Sequence, residues 1–127
     1  MSIDGRTRAF LALADENYSL AVRLLNDPSP PLRWVAVVAF YAAVHYVGAY
    51  VWELDKRELS SHPERDNEIH RDPALRRIAP HYRLLFDHGF RGRYKAYYKA
   101  DFDEVAQFIH TDLAAIEACV RENLRHR

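Results

Sequence analysis

The sequence predicts an all-α chain, an up-and-down four-helix bundle with an extra short helix between helices 2 and 3. Three observations carry this expectation. Apolar residues recur at three- and four-residue steps in the long segments, the period of a helix with one buried face. Glycine is scarce, four in 127 residues, and the Asp4-Gly5 pair precedes the first helical pattern rather than joining alternating apolar runs, so hairpin signals are weak. Finally, Trp34 to Trp52 contains no Asp, Glu, Lys or Arg. A chain of this length suits one domain, residues 1–127, with a single core.

The first helix is predicted from about Gly5 to Asn26 with Asp4 as N-cap. Phe10, Leu13, Ala14, Asn17, Leu20, Ala21, Leu24 and Leu25 form its stripe. Asp27-Pro28-Ser29-Pro30-Pro31 ends it, because prolines remove donors and disfavour helix in the residue before them. The second helix, about Leu32 to Asp55, is apolar around its whole circumference, which suits the centre of a bundle or a membrane span. His45, Gly48 and Tyr41, Tyr46 and Tyr50 speak against the membrane, as do the stripes on the other helices, which need a common partner. Ser61-His62-Pro63-Glu64 reads as a capping box opening a short helix to about Arg71. Asp72-Pro73 starts the third long helix, with Leu75, Ile78, Tyr82 and Leu85 on one face, a kink or break at Pro80 and Gly89 as C-cap. Phe90 to Ala100 is expected to be a basic, tyrosine-rich connection. The last helix starts from Asp101 with Glu104 at N3, and its stripe is Val105, Phe108, Ile109, Leu113, Ile116 and Val120.

Charge excludes indiscriminate, charge-driven nucleic-acid binding, since 18 basic and 18 acidic residues cancel, yet a local basic patch stays open. Fifteen of the basic residues are arginine, the better bidentate phosphate ligand; genomic base composition produces the same bias. Cys119, the one cysteine, excludes an intrachain disulfide and reads as core packing. The N-terminus lacks the basic-then-apolar pattern of a signal peptide, so a cytoplasmic protein with no membrane association is expected. No phosphate-binding glycine loop, nucleophile elbow or cysteine-based zinc pattern occurs, and no cofactor or metal is expected. His62, Asp66 and His70, four apart, could line a metal site, but a solvated helix face explains them more simply.

The sharper pattern is Arg65-Asp66-Asn67-Glu68-Ile69-His70. Arginine stabilises the charge of a scissile phosphate and histidine transfers protons near neutral pH, a combination suited to metal-free RNA cleavage by the ribose 2′-hydroxyl. Arg76/His81, Arg83/His88 and Arg121/His126 repeat the spacing, but only the Arg65 copy has a small polar residue after the arginine and lies near a helix start. Positions five apart are about 140° apart on an ideal helix, so two chains across a symmetry axis aim both groups at one phosphate more readily than one chain does. His45 reads as a core histidine in a buried polar pair. The stretch with Arg91, Arg93 and Tyr94 mixes charge and aromatic rings as single-strand binders do, and a solvated loop whose tyrosines fold back onto the bundle explains it equally.

Ala39-Phe40-Tyr41-Ala42-Ala43-Val44-His45, then Ser61-His62-Pro63-Glu64-Arg65, Tyr82-Arg83-Leu84-Leu85 and Arg93-Tyr94 together resemble the HEPN superfamily, over residues 8–122. The resemblance implies a bundle that commonly dimerises, found in prokaryotic toxin–antitoxin and defence systems. It implies that Arg65, Asp66 and His70 map to the Arg-x4–6-His motif of metal-independent endoribonucleases. Relatives that lack the motif imply a second reading, a non-catalytic module that binds RNA or a nucleotide or pairs with a nucleotidyltransferase partner. The chain departs from the catalytic pattern in that Pro63 and Pro73 confine the motif to a very short helix. Two readings follow: an RNA-cleaving homodimer, partnered by an antitoxin, using Arg65, His70 and Asp66; or a binding module using His62, Arg65, Arg91, Arg93 and Tyr94.

Overall fold

A computed structural model describes residues 3–125. Among them the chain is all-helical, with no strand. The helices are α1 (Gly5–Leu25), α2 (Leu32–Asp55), α3 (His62–Arg71), α4 (Pro73–Arg76), α5 (Ala79–Tyr94), α6 (Phe102–Gln107) and α7 (Ala114–Arg125). A wide π-helical turn, Phe108–Leu113, joins α6 directly to α7.

The N-caps form where the sequence places them. Asp4 accepts from the Arg6 amide, Ser61 from Glu64, and Asp101 from Asp103 and Glu104, each satisfying amides that a helix start leaves unpaired. Asp72 caps α4 through the Ala74 and Leu75 amides and takes the Tyr50 hydroxyl at 3.0 Å, tying the start of α4 to α2.

α2 is the helix on which the others meet. Val35, Ala36, Ala39, Ala42, Ala43, Tyr46, Val47, Ala49 and Val51 are buried, because α1, α5 and α7 each cover part of its circumference. It is long and apolar enough to cross a membrane, but most of it is buried inside the fold. The Thr7 hydroxyl donates to Glu53 at 2.7 Å and Trp52 Nε1 to Asp4 at 3.1 Å, so the start of α1 meets the end of α2 and the pair runs antiparallel. At mid-height the fully buried Tyr46 donates to Asp15 at 2.5 Å, and Arg121 of α7 grips the same carboxylate at 2.5 and 2.6 Å. One polar cluster thus ties α1, α2 and α7 together.

Several expectations are corrected. Gly89 does not cap a helix: it is buried inside α5 against Phe40, and the helix runs on to Tyr94 with Lys95 as C-cap. The missing side chain serves close packing, not chain reversal. The connection therefore begins at Lys95, and Arg91, Arg93 and Tyr94 stand on the last turn of α5. The expected break falls before Pro80, at Arg77–Ile78, and leaves the proline in the first turn of α5, where its missing amide has no partner to lose. Leu13, expected on the α1 stripe, is exposed. His45 forms no polar pair with Tyr41 or Tyr46, whose hydroxyls bond Arg93 and Asp15.

The connection after α5 is held by Arg33. Its two terminal nitrogens donate to the carbonyls of Gly92, Lys95, Ala96 and Tyr98 at 2.7–3.0 Å, satisfying acceptors left over at a helix end. Tyr98 folds back into the core and its hydroxyl meets His88 Nδ1 at 2.9 Å, whereas Tyr97 projects into solvent.

Candidate functional site

A cleft of about 300 Å³ opens between α2, the start of α3 and the second half of α5. Phe40, Gly89 and Phe86 form its floor and back; Tyr41, Phe90 and Tyr94 form its sides; His62, Arg65 and Arg93 supply its polar groups. Three elements far apart in sequence therefore converge here. Phe86, Phe90 and Tyr94 share one face of α5 because they are four apart, and their rings run in a ladder with centroids 5.8 and 5.0 Å apart.

His62 lies flat on Phe86, centroids 3.5 Å apart and planes within 6°, with the Tyr82 ring nearly parallel beyond. Burial pushes the imidazole pKa below its ordinary value; Arg65 adds to the effect while Asp66 opposes it. The ring is therefore neutral at pH 7. Its Nδ1 is buried and has no hydrogen-bond partner among the described residues.

Arg65 reaches the cleft from α3, its Nε donating to the Tyr82 hydroxyl at 3.1 Å. That bond leaves both terminal nitrogens without an acceptor among the described residues. Arg65 also borders a second hollow of about 190 Å³ with His45, whose pKa is lowered by burial and then by the Arg65 charge. Arg93 lies over the Tyr41 and Tyr94 rings, 5.7 and 5.2 Å from their centroids, and donates to the Tyr41 hydroxyl. Neither arginine has a carboxylate within ion-pair distance among the described residues. Arg57, Arg71 and Arg121, by contrast, are all bound to carboxylates.

The sequence-predicted residues divide. Arg65, His62, Arg93 and Tyr94 meet in the cleft. Asp66 acts on His62 but does not line it. His70 stands apart: its Nδ1 meets the Asp66 backbone carbonyl at 2.8 Å, four residues back on its own helix, and it borders no part of the cleft. Arg91 points elsewhere, over the Tyr98 ring at 5.4 Å. Among the described residues no three His, Cys, Asp or Glu side chains gather to hold a metal, and His62 and His70 serve different surroundings. His126, of the Arg121/His126 pair, lies outside the described residues.

The aromatic wall escaped the sequence reading. Phe40 and Tyr41 sit in an apolar run indistinguishable from core, Phe86 lies near the predicted end of the third long helix, and Phe90 reads as the start of the basic, tyrosine-rich connection. The four-residue spacing of Phe86, Phe90 and Tyr94, interleaved with Arg91 and Arg93, was the available signal. No family model, curated protein or solved structure matches this chain.

Proposed function

We propose that this chain is a HEPN-like domain that binds single-stranded RNA in the aromatic cleft. In this reading α1, α2, α5 and the α6–α7 rod are the four long helices of an up-and-down bundle, and α3 is the inserted short helix. One observation carries the proposal: two arginines without carboxylate partners meet an aromatic wall in a single cleft. Guanidinium groups serve phosphate and ring faces serve bases, and the combination accepts any base because every base has a π-face.

The separation of Arg65 from His70 favours binding over cleavage by one chain. Cleavage by this pair would require His70 from a second copy beside Arg65, the homodimer that the HEPN resemblance implies. An antitoxin or nucleotidyltransferase partner rests on that resemblance alone.

Fluorescence anisotropy with a labelled single-stranded RNA, in EDTA, tests the reading. Arg65→Ala and Arg93→Ala are each expected to weaken binding about 10- to 100-fold, corresponding to loss of charge-assisted hydrogen bonds worth about 1.5–3 kcal/mol. Arg23→Ala, an exposed change on α1, leaves binding intact. Binding indifferent to both cleft arginines refutes the site. Cleavage of the RNA that is lost in His70→Ala would instead support the catalytic dimer.

A further inference from the structure

We infer that the cleft takes a nucleoside phosphomonoester, the phosphorylated end of an RNA strand rather than its interior. This rests on the RNA-binding reading and narrows its ligand. Three features of the cleft point to it.

The first is charge. An internal phosphodiester carries one negative charge, whereas a terminal phosphomonoester carries about −1.5 to −2 near pH 7, with a second pKa of about 6. The cleft presents two guanidinium groups, and no carboxylate lines it. Asp66 and Asp87 are near enough to act on His62 but remain outside the lining. Two unopposed cations match a dianion; a single diester charge would leave one of them uncompensated. The donors are also in place, since both terminal nitrogens of Arg65 lack an acceptor among the described residues and Arg93 is held at Tyr41 through one nitrogen only. Two forks of this kind suit a group with three terminal oxygens.

The second is size and shape. At about 300 Å³ the cleft is at the small end of ligand pockets, which run from about 300 to 1,000 Å³. It has room for one nucleotide and not for a run of them. Two of its lining residues, Phe40 and Gly89, are buried. An interior stretch must enter and leave, whereas an end needs only to enter.

The third is the arrangement of rings. His62 and Phe86 are stacked at 3.5 Å, the spacing of stacked bases, and Phe90 and Tyr94 continue toward solvent, where Tyr94 is 60% exposed. A terminal base fits against the inner rings, with the next nucleotide passing the exposed Phe90–Tyr94 pair and Lys95, whose Nζ lies 5.9 Å from the Phe90 ring centre.

The experiment measures affinity at pH 7.5 for one RNA hexamer in three forms: 5′-phosphate, 3′-phosphate and hydroxyl at both ends. AMP serves as competitor. One phosphorylated form is expected to bind at least 10-fold tighter than the unphosphorylated hexamer, and that preference should shrink below pH 6 as the phosphate takes up its second proton. Arg93→Gln, an exposed change that leaves the core intact, should remove most of the preference; Arg65→Gln should do the same if its circular dichroism matches the parent. Equal affinity for all three hexamers overturns this inference and leaves the RNA-binding reading standing. Binding of none of the hexamers or AMP overturns both. AMP competing as well as the phosphorylated hexamer supports the phosphomonoester while refuting the strand; weaker competition by AMP supports the RNA end.

Discussion

Replacing Gly89 with alanine tests the contact that shapes the cleft floor. A Cβ built there would lie 2.6 Å from Phe40 Cβ, 2.9 Å from Cγ and 3.1 Å from Cδ2. Cβ is fixed to the α2 backbone, so no rotamer change of Phe40 can clear the 2.6 Å contact and α5 must move away from α2. Overpacking of this kind destabilises by about 1–3 kcal/mol, while alanine gains about 1 kcal/mol over glycine in helix propensity. At such short separations the upper end of the packing range applies, giving a net loss of about 2 kcal/mol. With an unfolding entropy of about 2.1 cal/mol/K per residue, that lowers the Tm of a chain of this length by about 7 °C. Gly48→Ala is the internal comparison. Its Cβ would meet only the ring edge of Phe10 at 3.2 Å, on a half-buried side chain that can rotate away. Propensity then dominates, and Tm rises by up to about 3 °C. Thermal melts followed by circular dichroism decide between the two. A Gly89→Ala protein as stable as the parent would refute the close approach of α5 to α2.

Two further outcomes follow from geometry and charge. Burial lowers the pKa values of His45, His62 and His88, so these rings are neutral in the folded chain and take up protons more readily when it unfolds. Their contribution to stability is present above the unfolded value of about 6.5 and is lost as pH falls through the folded values, so Tm should drop between pH 7 and pH 5. His62→Gln should flatten part of that slope; an unchanged slope would refute burial of the ring. Arg33→Lys replaces a fork that reaches four carbonyls with a single ammonium that cannot. Trypsin should then cut at Lys95 and Lys99 several-fold faster than in the parent, and equal rates would show that Arg33 does not hold the connection.

Much of the fold was legible because its signals are local. Proline clusters, capping side chains and apolar periodicity each act within a turn or two, and Asp4, Ser61 and Asp101 cap where they were read. Gly89 was misread because a glycine near a helix end and a glycine under a crossing helix look alike in sequence; only Phe40, 49 positions away, distinguishes them. The cleft was half legible for a related reason. Arg65, His62, Arg93 and Tyr94 stand out by chemistry, but their convergence depends on how α5 packs against α2 and how His62 and Arg65 of α3 meet α5, and the Phe40 and Phe86 wall carries no polar mark. The expectation that Arg65 and His70 diverge on one helix agrees with His70 standing outside the cleft.

The π-helical turn between α6 and α7 bears on how the length of this chain can vary. The buried positions Val105, Ile109, Leu113, Ile116, Val120 and Leu124 advance by about 3.8 residues per turn, more than the 3.6 of an α-helix. A uniform α-helix would carry that stripe about 100° around the rod by its end, turning Leu124 toward water. The wide turn absorbs the surplus, as an extra residue looped into an otherwise regular helix does. Phe108–Leu113 is therefore the place in the last helix where a one-residue deletion can be healed, by tightening the turn to ordinary pitch. The same deletion in α7 would rotate every later side chain out of register with the core.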